Sequence, residues 1–259
     1  MALSMNDLYI RPIRPYLMKA SEPLVIRYKT LLMQRLLDQV RHGYHYHASG
    51  SVSAERASAL CAKFQTRYEV FLNMNQRAYR KGLGQANARL MLADLEHDGS
   101  LHWFLMVTDG EHAAHKLEKL KDALVQGERV HVSGYELLRL PHSKAAGGGV
   151  RLTWRMTTES ERQWRFTIRS AIRSRRADDL VNGLVRSLYQ TPGFHTTRYQ
   201  VGKLVAFLSA EWVRSGRKIE ALRLPGALPY VRRMADENFT LDDWLAARAA
   251  TATINRGDT

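Results

Sequence analysis

Two pairs of short apolar segments, each joined by a glycine-containing link, most constrain how this chain folds. Ala88–Leu95 and Leu101–Val107 flank the turn Glu96-His97-Asp98-Gly99-Ser100, and Tyr135–Leu140 and Val150–Met156 flank the basic, glycine-rich link Pro141–Gly149. Runs of this length, bounded by turn residues and joined so closely, pair as antiparallel strands. On either side the apolar residues recur at three- and four-residue steps, the mark of helices that bury one stripe. Leu24, Tyr28, Leu31, Leu32 and Leu36 set a helix from Ser21-Glu22-Pro23 to about His42, with Gly43 as its stop. Further helices are expected from Ser53 to Arg67, over Glu111–Leu124, from Thr158 through Ile172, over Asp178–Tyr189, over Arg198–Arg214, and after Thr240. Asn75–Gln85, polar, basic and broken by glycine, reads as a loop or ribbon tip.

The expectation is an α+β fold: a central, mainly antiparallel sheet of about four strands with N-terminal and C-terminal helices. A basic arm spans 1–20, a single domain spans 21–250, and a loose tail spans 251–259. Within the domain, 21–67 is helical, 68–157 holds the sheet, and 158–250 is helical again.

Charge decides the class of partner. The chain carries 39 Lys and Arg against 25 Asp and Glu, a net +14, which attracts polyanions at long range. Arginine predominates in the key stretches, and its planar fork suits phosphate oxygens and base edges. The single cysteine, Cys61, lies in an alanine-rich helical pattern and reads as a small core residue. One cysteine forms no disulfide within the chain, which fits a reducing, cytoplasmic setting. Met1–Pro15 lacks the apolar run of a secretory signal, and no stretch reaches eighteen consecutive apolar residues, so neither secretion nor a membrane span is expected.

Two basic segments stand out. Arg77, Tyr79, Arg80 and Lys81 interleave a ring with cations, so that a base stacks on the ring while the cations neutralise phosphates. Arg162, Arg165, Arg169, Arg173 and Arg176 recur at helical spacing opposite Trp164, Ile168 and Ile172. Five like charges on one face repel, and a polyanion relieves that cost.

Catalytic signatures are scarce. Gly147-Gly148-Gly149 lacks the Lys-Ser/Thr of a phosphate-binding P-loop, and no nucleophile elbow, zincin or dinucleotide fingerprint occurs, so no cofactor, metal or catalytic residue is assigned. The exception to weigh is His45 and His47, which alternate as a His-hydrophobe-His pair does on one face of a strand. Relaxases and rolling-circle nucleases hold a divalent ion that way, with a tyrosine nucleophile for which Tyr189 or Tyr199 is conceivable. An RNA-binding or transcription-regulating module is a further alternative.

Taken in order, Gly43-Tyr44-His45-Tyr46-His47, Asn75-Gln76-Arg77, Arg80-Lys81, Gly84-Gln85-Ala86-Asn87, Trp103 through Thr108-Asp109-Gly110, Glu118-Lys119-Leu120, Gly134-Tyr135-Glu136-Leu137, Trp154-Arg155-Met156 and Gln200-Val201-Gly202 resemble the MobI family. These are conjugative-transfer proteins of integrative elements and large plasmids. The resemblance spans about residues 40–230. It implies a DNA-binding auxiliary of DNA mobilisation that recognises an origin of transfer and assists a separate relaxase.

Overall fold

The computed structural model describes residues 22–141, 149–236 and 238–257. The arm expected over 1–20 and the tip of the Pro141–Gly149 link fall outside them. The elements run β1 (Leu24–Ile26), α1 (Lys29–Arg41), β2 (Tyr46–Ser53), α2 (Ala54–Tyr68), α3 (Met74–Gly82), β3 (Ala88–Ala93), β4 (Ser100–Val107), α4 (Ala113–Leu117) and β5 (Lys121–Asp122). They continue with β6 (His131–Val132), β7 (Tyr135–Pro141), β8 (Val150–Met156), α5 (Thr158–Arg173), α6 (Ala177–Tyr189), α7 (His195–Arg214), β9 (Asn238–Thr240) and α8 (Leu241–Gly257).

The fold is α+β, but the sheet is not one layer of about four strands. A mixed sheet of six strands runs in the order β5-β2-β4-β3-β1-β9, and β6-β7-β8 form a separate sheet of three. Both expected hairpins are present: Leu92 pairs with Trp103 across β3 and β4, and Leu137 pairs with Trp154 across β7 and β8. They belong to different sheets. Within the larger sheet, β2-α2-β3-β4-α4-β5 has the split βαβ connectivity, its four strands ordered β5-β2-β4-β3. Of the pairings in that sheet, β1 with β3 is parallel and the others are antiparallel.

Both faces of the large sheet are covered. On one face Ala57, Cys61 and Phe64 of α2, Ala114 of α4 and Trp244 of α8 pack on Leu90, Leu92, Leu101 and Leu105. Cys61 is a buried core residue, as its alanine-rich setting indicated, and burial pushes its thiol up to about 11. On the other face Leu32, Leu36 and Val40 of α1 join Phe104 and Met106 to the small sheet and to α5, α6 and α7. Trp154, fully buried in β8, donates its indole N–H to the Met33 carbonyl of α1 at 2.9 Å. That bond ties the second sheet to the helix lying against the first.

Four expected boundaries change. The helix expected from Ser21 starts at Lys29, because Leu24–Ile26 form β1. Val25 enters one core and Ile26 the other, the period-two alternation of a strand. The helix expected over Glu111–Leu124 shrinks to Ala113–Leu117, followed by β5. Its supposed stripe is no stripe: Leu117 is exposed, Leu120 packs on one core and Leu124 on the other. The segment expected as a loose tail from 251 is helical backbone to Gly257. The fourth, Asn75–Gln85, is taken up with the site.

Candidate nucleic-acid interface

Asn75–Gln85 is mostly helix, not loop. The Asn73 side chain accepts from the Gln76 amide at 3.0 Å, and the Gln76 side chain accepts from the Asn73 amide at 2.9 Å, a reciprocal cap that starts α3. Helical spacing then separates the expected quartet. Arg80 pairs with the Glu69 carboxylate, while Arg77 donates to the Leu72 carbonyl. Tyr79 points to solvent, 69% exposed. Arg77 and Lys81, one turn apart, share the wall of a cleft with Arg89 of β3 and the C-terminal end of α1. The four residues therefore do not form one stacking platform.

The arginine series divides as well. The Thr157 hydroxyl accepts from the Ser160 amide at 3.2 Å and caps α5, which carries Arg162, Arg165, Arg169 and Arg173. Arg176 lies beyond that helix, at the N-cap of α6, and pairs with Asp179 at 3.5 Å. Arg162 pairs with Glu159 at 2.6 Å, both side chains being exposed, which contributes little to stability. Arg165 pairs with Glu161 at 3.2 Å. Arg169 and Arg173 have no carboxylate partner among the described residues.

Two of these arginines reach α7, and that contact was not anticipated. The Arg165 and Arg169 guanidiniums lie over the Phe207 ring, 4.8 and 5.1 Å from its centroid. One turn and two turns earlier on α7, Lys203 stands over the exposed Tyr199 ring at 4.5 Å. Arg198 stacks on the exposed Tyr230 ring at 3.7 Å. Cations and rings thus alternate over α5, α7 and the chain beside them; Tyr199 is exposed, while Phe207 is half-buried at the edge of the core that holds Val201, Leu204 and Leu208. Tyr199, Lys203 and Phe207 recur every four residues, and that spacing is the signal by which the stripe is found in the sequence.

The two basic regions are not joined. α3 faces the end of α1 and the start of β3, whereas α5 packs on α6, α7 and β8. Arg77–Lys81 and the α5 arginines thus form two regions on different elements.

Of the histidine pair, His47 lies in β2 and His45 just before it, and the two rings have different surroundings. His47 is 3% exposed, and its Nε2 lies 2.7 Å from the Glu128 carbonyl. A carbonyl only accepts, so Nε2 carries the proton and Nδ1, buried without a partner, is bare. Burial holds the His47 pKa below the usual histidine range. His45 faces Asp109 at 3.9 Å. His112 caps α4 by accepting from the Ala114 amide at 3.1 Å, and His115 lies 2.9 Å from the Thr108 carbonyl. Among the described residues, no three His, Cys, Asp or Glu side chains are grouped as metal ligands. Among the described residues, no helix is long and apolar enough to cross a membrane either.

Comparisons of the chain with protein-family models, curated proteins and solved structures return no match.

Proposed function

We propose that the chain binds DNA through the α5–α7 face and acts as an auxiliary of conjugative DNA mobilisation, recognising an origin of transfer beside a separate relaxase. The observation that carries the binding is the gathering of Arg165, Arg169 and Lys203 over the rings of Phe207 and Tyr199, with Arg173 uncompensated nearby on the same helix. Guanidinium and ammonium groups supply phosphate contacts, and the exposed Tyr199 ring supplies a face on which a base stacks. The resemblance of the ordered segments to MobI proteins supplies the biological setting.

Fluorescence anisotropy of the full chain with labelled duplex and single-stranded oligonucleotides, between 50 and 300 mM salt, tests this reading. Affinity falls steeply with salt, because bound cations release condensed counterions. Arg165→Gln, Arg169→Gln and Arg173→Gln together flatten the log–log slope by about 2 to 3. A slope that is flat, or that is unchanged in the triple variant, contradicts it. RNA as competitor separates DNA binding from the RNA-binding alternative.

A further inference from the structure

The cleft between α3, the end of α1 and β3 has the chemistry of a second site. It encloses about 600 Å³, a volume in the range of small-ligand sites. Arg77, Lys81 and Arg89 line it, and the acidic residue on its wall, Asp109, is turned toward His45 at 3.9 Å. Arg89 bonds the neutral Gln39 side chain at 3.1 Å, and Arg77 bonds a main-chain carbonyl. Neither guanidinium has a carboxylate within ion-pair distance among the described residues.

These charges act on one another. Burial and the neighbouring Arg77 both depress the Arg89 pKa. The buried Tyr44 phenol, also on the cleft wall, feels Arg77 and Arg89 together. Asp236 acts on Arg89 only from a distance, and two guanidiniums that share a cleft with no carboxylate bonded to either favour an anion. The wall also offers a neutral hydrogen-bonding group. Asn87 is 5% exposed, its Nδ2 donates to the Arg77 carbonyl at 3.1 Å, and its Oδ1 is buried without a partner. An orphaned buried acceptor beside cations that no carboxylate bonds calls for a ligand with both an anionic group and an N–H donor.

We propose that this cleft takes one nucleoside monophosphate unit, its phosphate on Arg77, Lys81 and Arg89 and an N–H of its base edge on Asn87 Oδ1. Phosphate satisfies the fork geometry of arginine, and every natural base carries an N–H on its pairing edge. The unit comes either from a free nucleotide or from an unpaired nucleotide of a DNA strand. The site uses no residue of α5 or α7, so it stands or falls separately from the DNA-binding face proposed above.

Isothermal titration of the full chain with deoxynucleoside monophosphates, deoxyribose 5-phosphate and inorganic phosphate tests the site. Nucleotides bind about tenfold more tightly than either control, the base edge accounting for the difference. Asn87→Ala brings nucleotide affinity down to that of deoxyribose 5-phosphate. Lys81→Met, at an exposed side chain, weakens nucleotide and phosphate alike by about tenfold, and it keeps the series informative if a buried substitution unfolds the chain. Displacement of bound nucleotide by a single-stranded oligonucleotide, also in the α5 triple variant, identifies a strand nucleotide as the occupant; no displacement identifies a free nucleotide. Equal affinity for nucleotide and inorganic phosphate, no saturable binding, or nucleotide binding that Lys81→Met leaves unchanged overturns the proposal.

Discussion

His47 shows how one buried side chain makes the fold sensitive to acid. Its Nε2 proton is committed to the Glu128 carbonyl, and its bare Nδ1 faces no acceptor. Protonation places an unmatched charged N–H in the interior. The native pKa is depressed by burial, so below the ordinary value of 6.5 the unfolded chain takes up a proton that the folded chain refuses. Stability is therefore retained above that value and lost as the pH falls through it. The Tm of the wild-type chain drops between pH 7.5 and 5, and His47→Gln, whose amide can still donate to Glu128, shows a smaller drop. His112, also held low by burial, keeps the variant profile from being flat. Trp154 makes the complementary case for apolar burial. Trp154→Ala removes a fully buried indole and its bond to Met33, and lowers unfolding stability by about 3–5 kcal/mol, read from the denaturant midpoint. At this scale the sequence was informative where environment is local: Cys61 in its alanine-rich stretch is the core residue expected. It was not informative for His45 and His47, because the group that fixes His47 lies 81 residues away in the chain.

At the scale of elements, legibility followed the strength of the repeating pattern. Hairpins β3–β4 and β7–β8 were legible because apolar strands flank turn residues. Strand β2 was not, because Tyr46–Ser53 is built from small and polar residues. Its Gly50 lies beneath the Trp103 ring, where a Cβ would stand 2.8 Å from the ring, so the sequence that fits is one that hides a strand. Helix α3 was misread because its basic, glycine-ended sequence resembles a loop, although Asn73 and Gln76 carry the start signal in plain view. That signal predicts its own test. Asn73→Ala removes the reciprocal cap and destabilises α3 by about 1 kcal/mol, observed as faster amide exchange over 74–82 with little change in the core. The α5 arginines were legible as a stripe, but the one ring that Arg165 and Arg169 both cover, Phe207, belongs to α7. No local pattern connects residues so far apart in sequence.

For the molecule as a whole, the excess of positive charge is not spread evenly in its consequences. Arg35, Arg80, Arg129, Arg155, Arg162, Arg165, Arg176, Arg214 and Arg233 pair with carboxylates and are in part neutralised. What remains available includes two separate regions: the ring-backed cations of α5 and α7, and the cleft of Arg77, Lys81 and Arg89. The large sheet itself is covered on both faces, so its strands present no open platform for bases. That burial is why the proposed contact is placed on helices rather than on the sheet. Photo-cross-linking of the full chain to a bromodeoxyuridine-substituted oligonucleotide at low salt, with peptide mapping, locates the contact. The α5–α7 reading predicts adducts concentrated at Tyr199, Phe207 and Tyr230, lost with the α5 triple variant. Adducts confined to other segments, with none on α5, α7 or Tyr230, would contradict it.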